Sequence, residues 1–173
     1  MSVLRAVFRH RGAPEWSGEP SWRARLDAWI RQWSAGGAPW RAWCDASIRN
    51  GHTLVGVHIR GPGGLARSWG FRAPAAPNAA VAEAMALEQT LALLEGLGAE
   101  RAHVFTDCQG LAVLAHGEQA AHGAALDAWV RRIRRRAARF ARLRVRWIPR
   151  GQNWLAHTLA CQAARRASHA AST

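Results

Sequence analysis

From Arg41 onward, a short apolar run ending in an acid and two stretches of alternating residues follow one another before the spacing changes to that of helices. Residues 42–45, 53–60 and 66–71 each read as a strand, because side chains two apart share one face of a pleated sheet. Asn50-Gly51 and Gly61-Pro62-Gly63-Gly64 supply turn chemistry between them, so the three form an antiparallel meander. Asn78 is then placed to cap a helix over residues 80–94 that stops at Gly96 and Gly98. Val104-Phe105-Thr106 reads as a fourth strand, followed by a short helix and breaks at Gly117 and Gly123. A long helix is expected over 124–141, with Leu126, Trp129, Val130, Ile133, Ala137 and Phe140 inward. That leaves Arg131, Arg132, Arg134, Arg135, Arg136 and Arg139 outside. Leu143, Val145 and Trp147 alternate with arginines in a fifth strand, Pro149 ends it, and a last helix runs over 153–168. The order βββαβααβα implies an α/β or α+β layer with a mixed sheet of five strands.

Residues 1–40 have a different texture and read as an amino-terminal extension to a domain of residues 41–173. Trp22, Leu26, Trp29, Ile30 and Trp33 fall on one face of a helix between Pro20-Ser21 and Gly36-Gly37. Packing against the main domain is the expected use, with base stacking the alternative. The opening MSVLRAVFRHRG has too short an apolar run for a signal peptide, and no stretch matches a membrane span. A cytoplasmic, monomeric protein without membrane contact is the expectation. Cys44, Cys108 and Cys161 show no CxxC spacing, which supports neither a disulfide framework nor a zinc knuckle.

Charge narrows the partner. The chain carries +13, and all 24 of its basic residues are arginine. Up to Asp127, twelve arginines nearly balance eleven acids, whereas residues 128–173 hold twelve arginines and no acid. Such a one-signed segment points to a polyanion, with nucleic acid ahead of an anionic membrane.

Against that background the acids at strand ends stand out. VFTDCQG, residues 104–110, drives a β-branched and aromatic run into Asp107. Helix capping is the simplest use of such an aspartate. Yet the first strand also ends on an acid, Asp45, and Glu83 sits in the first turn of the connecting helix. If the first and fourth strands lie parallel, both aspartates emerge at one sheet end, the usual place for a site in open α/β sheets. Three converging carboxylates repel unless a cation lies among them, and hard oxygen donors suit magnesium or manganese.

In order and spacing, the segments WCDAS, VAEAMAL, VFTDCQG and WIPRGQNWLAHTLA resemble the motifs of type 1 ribonuclease H, in its compact form without a basic protrusion. The resemblance covers residues 41 to about 164. It implies a ribonuclease H-like fold, three antiparallel strands followed by two parallel to the first. It also implies an endonuclease that uses two Mg2+ or Mn2+ ions to cut the RNA strand of an RNA–DNA hybrid. Asp45, Glu83 and Asp107 would be catalytic metal ligands, and Ser47, Asn78 and Gln109 substrate contacts, joined by Arg131 and Arg135 of the basic helix. Glu88 competes with Glu83, but five positions on it points to another helix face. Cys108 replaces a common serine and reads as a small buried substitute.

One departure matters. The family pattern Ala-Asp-x-Leu-Ala reads here Ala156-His157-Thr158-Leu159-Ala160, which puts His157 at the fourth metal-binding and catalytic position. An imidazole can ligate or shuttle a proton but brings no negative charge. Two readings follow: an active hybrid-cutting enzyme with altered metal preference, or a non-catalytic binder of hybrid or double-stranded RNA with a degenerate site.

Overall fold

The computed structural model describes residues 39–115 and 123–170, with side chains in the final helix up to Ala163. The tryptophan-rich helix expected near the amino terminus lies outside the described residues. The elements are β1 (Trp40–Arg49), β2 (His52–Arg60), β3 (Ala66–Ala73), α1 (Ala79–Gly96), β4 (Arg101–Thr106), α2 (Gln109–Ala115), α3 (Ala124–Ala137), β5 (Arg142–Trp147) and α4 (Trp154–Ala170). Their order is the one the periodicity predicts. The sheet runs β3-β2-β1-β4-β5, with β1, β2 and β3 antiparallel and β4 and β5 parallel to β1. Among the described residues no helix is long and apolar enough to cross a membrane.

β1 continues four residues past Asp45, where the sequence suggested an end. Its antiparallel ladder with β2 carries on to Arg49↔His52, while its parallel ladder with β4 stops at Trp43↔Phe105. Asp45 therefore sits where one neighbour has fallen away and the other still holds the strand straight. The long arginine helix also differs from expectation, ending at Ala137 rather than Ala141. Phe140 follows in a turn but stays buried, so its apolar face is served without helical geometry.

One face of the sheet carries α1, α2 and α3. α1 buries residues on every side, from Val81 and Ala84 to Leu91 and Leu94, because it lies between β1 and α3. Its one buried charge is Glu88, at 2% exposure, which accepts from Arg136 Nε at 2.7 Å and lies 3.5 Å from Arg132. Arg136 also bonds Glu95, and Arg139 reaches the same carboxylate. Thus Arg136, expected outside, is a clamp between α1 and α3, and Arg134 turns to donate to the Leu114 carbonyl. A buried carboxylate is tolerated only with such partners.

α4 crosses the opposite face over β2, β1 and β3, and two glycines set its height. A Cβ on Gly56 would overlap the Ala156 carbonyl oxygen, and one on Gly70 would lie 2.6 Å from the Leu159 oxygen. Gly56→Ala should therefore destabilise by about 2 kcal/mol or more, as overpacking against backbone does. Gly96→Ala, whose Cβ meets nothing within 4 Å, is the matched control. Urea unfolding checks this pair; equal midpoints for both variants would mean α4 is not seated on Gly56.

Candidate metal centre at the sheet end

Asp45 points from β1 to the α4 side and is 1% exposed. Asp107 follows β4 directly, so the parallel pairing of β1 with β4 brings both acids to the same end. Glu83 reaches in from α1, where the N-cap is Asn78 and the helix begins at Ala79. Glu83 thus lies beyond the first turn, one step further along the helix than the sequence suggested. One carboxylate oxygen from each of Asp45, Glu83 and Asp107 lies within 4.8 Å of the other two.

The surroundings fix each acid differently. Glu83 Oε1 accepts from the Ala46 N–H at 3.4 Å, and its Oε2 is buried with no hydrogen-bond partner among the described residues. Burial, followed by the charges of Asp45 and Asp107, pushes the Glu83 carboxyl up to about 8, against the Ala46 N–H and Arg150. Burial likewise raises Asp45, opposed first by its hydrogen bond to His157. Asp107 Oδ1 accepts from Asn153 Nδ2 at 3.3 Å, and the same amide donates to the Cys44 carbonyl at 2.8 Å. Trp147 Nε1 donates to the Asp107 carbonyl at 3.1 Å. Asp107 is not the helix cap: Cys108 holds that position, its carbonyl accepting from Ala112 and its half-buried thiol facing the Leu111 and Gly110 N–H groups.

His157 stands beside this group. Its Nδ1 is 2.9 Å from Asp45 Oδ2, and its Nε2 is 3.7 Å from Cys161 Sγ. An ionised carboxylate only accepts, so an ionised Asp45 requires the proton on Nδ1. Arg150, in the turn before α4, lies 3.4 Å from the same nitrogen and adds positive charge near the acids.

The remaining residues singled out from sequence are more scattered. Ser47, two residues past Asp45, has a buried hydroxyl without a partner among the described residues. Asn78 is exposed, and its Oδ1 caps α1 by accepting from Val81 N–H at 3.0 Å. Gln109 is exposed at the start of α2, and Arg131 and Arg135 are exposed on α3. Glu88 faces α3, away from the acids. Trp147 is 48% exposed, and Trp154 is 63% exposed beside Asn153.

Sequence reading missed Asn153 and Arg150, although both lie in the WIPRGQN segment. An asparagine just ahead of a helix looks like a cap. Only the fold carries its amide to Cys44 and Asp107, 109 and 46 residues away.

Three oxygen donors around an orphaned buried carboxylate oxygen fit a hard divalent cation. Burial first, and the two neighbouring carboxylates second, push the Glu83 carboxyl up to about 8, which a bound cation would oppose.

Comparison with known proteins places this architecture. A family model described as reverse transcriptase-like matches residues 44–163. A search of curated proteins gave no match. Ribonuclease H1 from the halophilic archaeon Halobacterium salinarum has a similar structure, with a TM-score of 0.69 at 21% identity, covering 75% of this chain and 99% of that one. The amino-terminal ribonuclease H domain of a Mycobacterium tuberculosis protein aligns with a TM-score of 0.66 at 22% identity, over 73% of this chain and 98% of that one. The LC11 ribonuclease H1, solved in complex with an RNA/DNA hybrid, also gives 0.66, at 20% identity over 74% and 98%. With its sheet order shared by these structures and most of its length matched by the family model, the chain belongs to the reverse transcriptase-like family and has the ribonuclease H fold.

Proposed function

We propose that the protein is a divalent-metal-dependent endonuclease that hydrolyses the RNA strand of RNA–DNA hybrids. The observation that carries this is the convergence of Asp45, Glu83 and Asp107 at one sheet end of a ribonuclease H fold. Those three acids would hold two ions, magnesium or manganese, which supply a hydroxide nucleophile at neutral pH and charge stabilisation at the leaving oxygen.

The chain's own residues do the positioning. Asn153 fixes one oxygen of Asp107 against the Cys44 backbone. His157 orients Asp45 through Nδ1, and its Nε2 is free of the carboxylates to exchange a proton beside Cys161. Arg150 tempers the negative charge that remains when all three acids ionise. Gln109, two residues past Asp107, and Asn78 at the start of α1 are exposed and would contact the hybrid, whereas the buried Ser47 hydroxyl, expected as a contact from sequence, would not. Arg131 and Arg135 would bind phosphates further along. Residues 1–40 we take as an extension appended to the nuclease domain.

A second reading, a hybrid or double-stranded RNA binder without activity, is favoured by one observation: the usual fourth acid is His157, which spends a nitrogen on Asp45. Cleavage assays on RNA–DNA hybrid, duplex RNA and duplex DNA separate the two. Cuts within the RNA of the hybrid alone are expected. Asp45→Asn should abolish them while hybrid affinity changes less than about threefold, since a ligand is lost and not the phosphate contacts.

Linkage gives an independent check that needs no turnover. Glu83 has its folded value raised from 4.5 to about 8. Its stabilising contribution is thus complete below pH 4.5 and lost as pH rises to about 8 in the metal-free protein. Metal favours the ionised form, so manganese should raise Tm more near pH ~8.5 than near pH ~5.5. Equal increments in a thermal melt would mean Glu83 is not a ligand.

The histidine is tested by restoring charge. His157→Asp should lower the magnesium concentration needed for half-maximal cleavage and narrow the gap between magnesium and manganese rates. His157→Ala should slow turnover about ten- to a hundredfold, as losing an orienting partner does. If only the Asp variant cuts, the parent protein is a binder.

A further inference from the structure

α4 covers the β3-β2-β1 side of its face of the sheet, and the register of β2, β1, β4 and β5 beyond it aligns two rows of side chains. The first row is Arg60, Arg41, His103 and Arg144. The second, two residues on, is His58, Trp43, Phe105 and Arg146. Asp45 is the next residue on this face of β1 after Trp43, so the second row lies about 7 Å along the strand from the acids. Four strands at roughly 4.8 Å spacing make each row about 14 Å long.

Each row has a chemistry of its own. In the second, Trp43 and Phe105 stack at 5.2 Å between centroids, and His58 adds a tilted ring at 5.6 Å from Trp43. Arg60 lies over the Trp43 ring at 5.9 Å. Trp43 and Phe105 keep part of their surface open. In the first row, directly opposed like charges destabilise a sheet. None of Arg41, Arg60, Arg144 and Arg146 has a carboxylate partner among the described residues. Burial, followed by Arg146, Arg144, Arg41 and Arg142, lowers His103, which shows how closely these guanidinium groups gather.

We propose that this face binds single-stranded nucleic acid, phosphates on the arginine row and unpaired bases against the Trp43–Phe105 stack. Cations without counterions call for a polyanion, and aromatic rings reward an occupant with flat faces, which a duplex keeps hidden. The other occupant to weigh, the segment of residues 1–38, carries six arginines against three acids. Like charge sets it against this surface. The platform goes beyond the nuclease reading and does not rest on it: a strand held here would also run toward Asp45, making a single-stranded flank part of the preferred ligand.

The test uses the full chain, fluorescein-labelled oligouridylate and EDTA, so a protein without nuclease activity answers equally well. Arg41→Ser with Arg144→Ser should weaken binding about tenfold or more at moderate salt. The slope of log affinity against log salt should fall by roughly 1.4, two contacts at about 0.7 each. Both positions are on the sheet surface, and circular dichroism and Tm confirm folding. Ultraviolet cross-linking of the unsubstituted protein gives a second measurement, with adducts expected on the peptide holding Trp43 or Phe105. An unchanged slope in a folded double variant overturns the proposal. So do adducts confined to residues 1–38 or to α3, which would place single strands elsewhere.

Discussion

Asp45 is a carboxylate sealed inside a β-strand, and most of the surrounding architecture answers to it. Burial of that charge is costly unless something compensates it. Its ladder with the parallel partner β4 stops two residues earlier, which opens one side of the strand for Asp107 and Glu83. On the other side α4 approaches so closely that only glycine fits beneath it at Gly56, the residue paired with Asp45. That approach brings His157 within 2.9 Å of Asp45 Oδ2. Close packing and site geometry are therefore one constraint seen from two sides.

The acids are divided between two tasks. Glu88 and Glu95 of α1 are matched by Arg132, Arg136 and Arg139, and this pairing ties α1 to α3. Glu83, one turn and a residue before Glu88, has no arginine at hydrogen-bonding distance among the described residues, and burial pushes its carboxyl up to about 8. The same helix thus carries a carboxylate neutralised by structure and another neutralised by a proton. The first supports the fold. The second is the one a cation can displace a proton from.

Positive charge is arranged with similar economy. Part of the arginine excess is spent on Glu88 and Glu95, but the sheet rows around His103 and the outer face of α3 are not compensated by described acids. A fold that keeps guanidinium groups side by side pays in self-repulsion, and a bound polyanion relieves it. The acids at the sheet end then lie among basic surfaces, an arrangement suited to holding a phosphate backbone near the candidate cation site.

The order of elements was legible in the sequence because strand and helix periodicities are local properties of the chain. So were Asp45, Glu83 and Asp107, because two strand ends and a helix start each carried an acid, although capping was the simpler use for Asp107 taken alone. Other features were not. Arg136 was read as solvent-facing from the helical wheel, since its partner Glu88 lies 48 residues away on another helix. The early end of α3 and the continuation of β1 to Arg49 were decided by turns and a neighbouring strand, which periodicity does not encode. Asn153, Arg150 and the two rows on the open sheet face became visible only with the strand register in hand. Sequence alone determined which residues alternate and where charge accumulates, because those are set by neighbours along the chain. Tertiary structure decided which distant groups meet, because a hydrogen bond or an ion pair depends on separation in space.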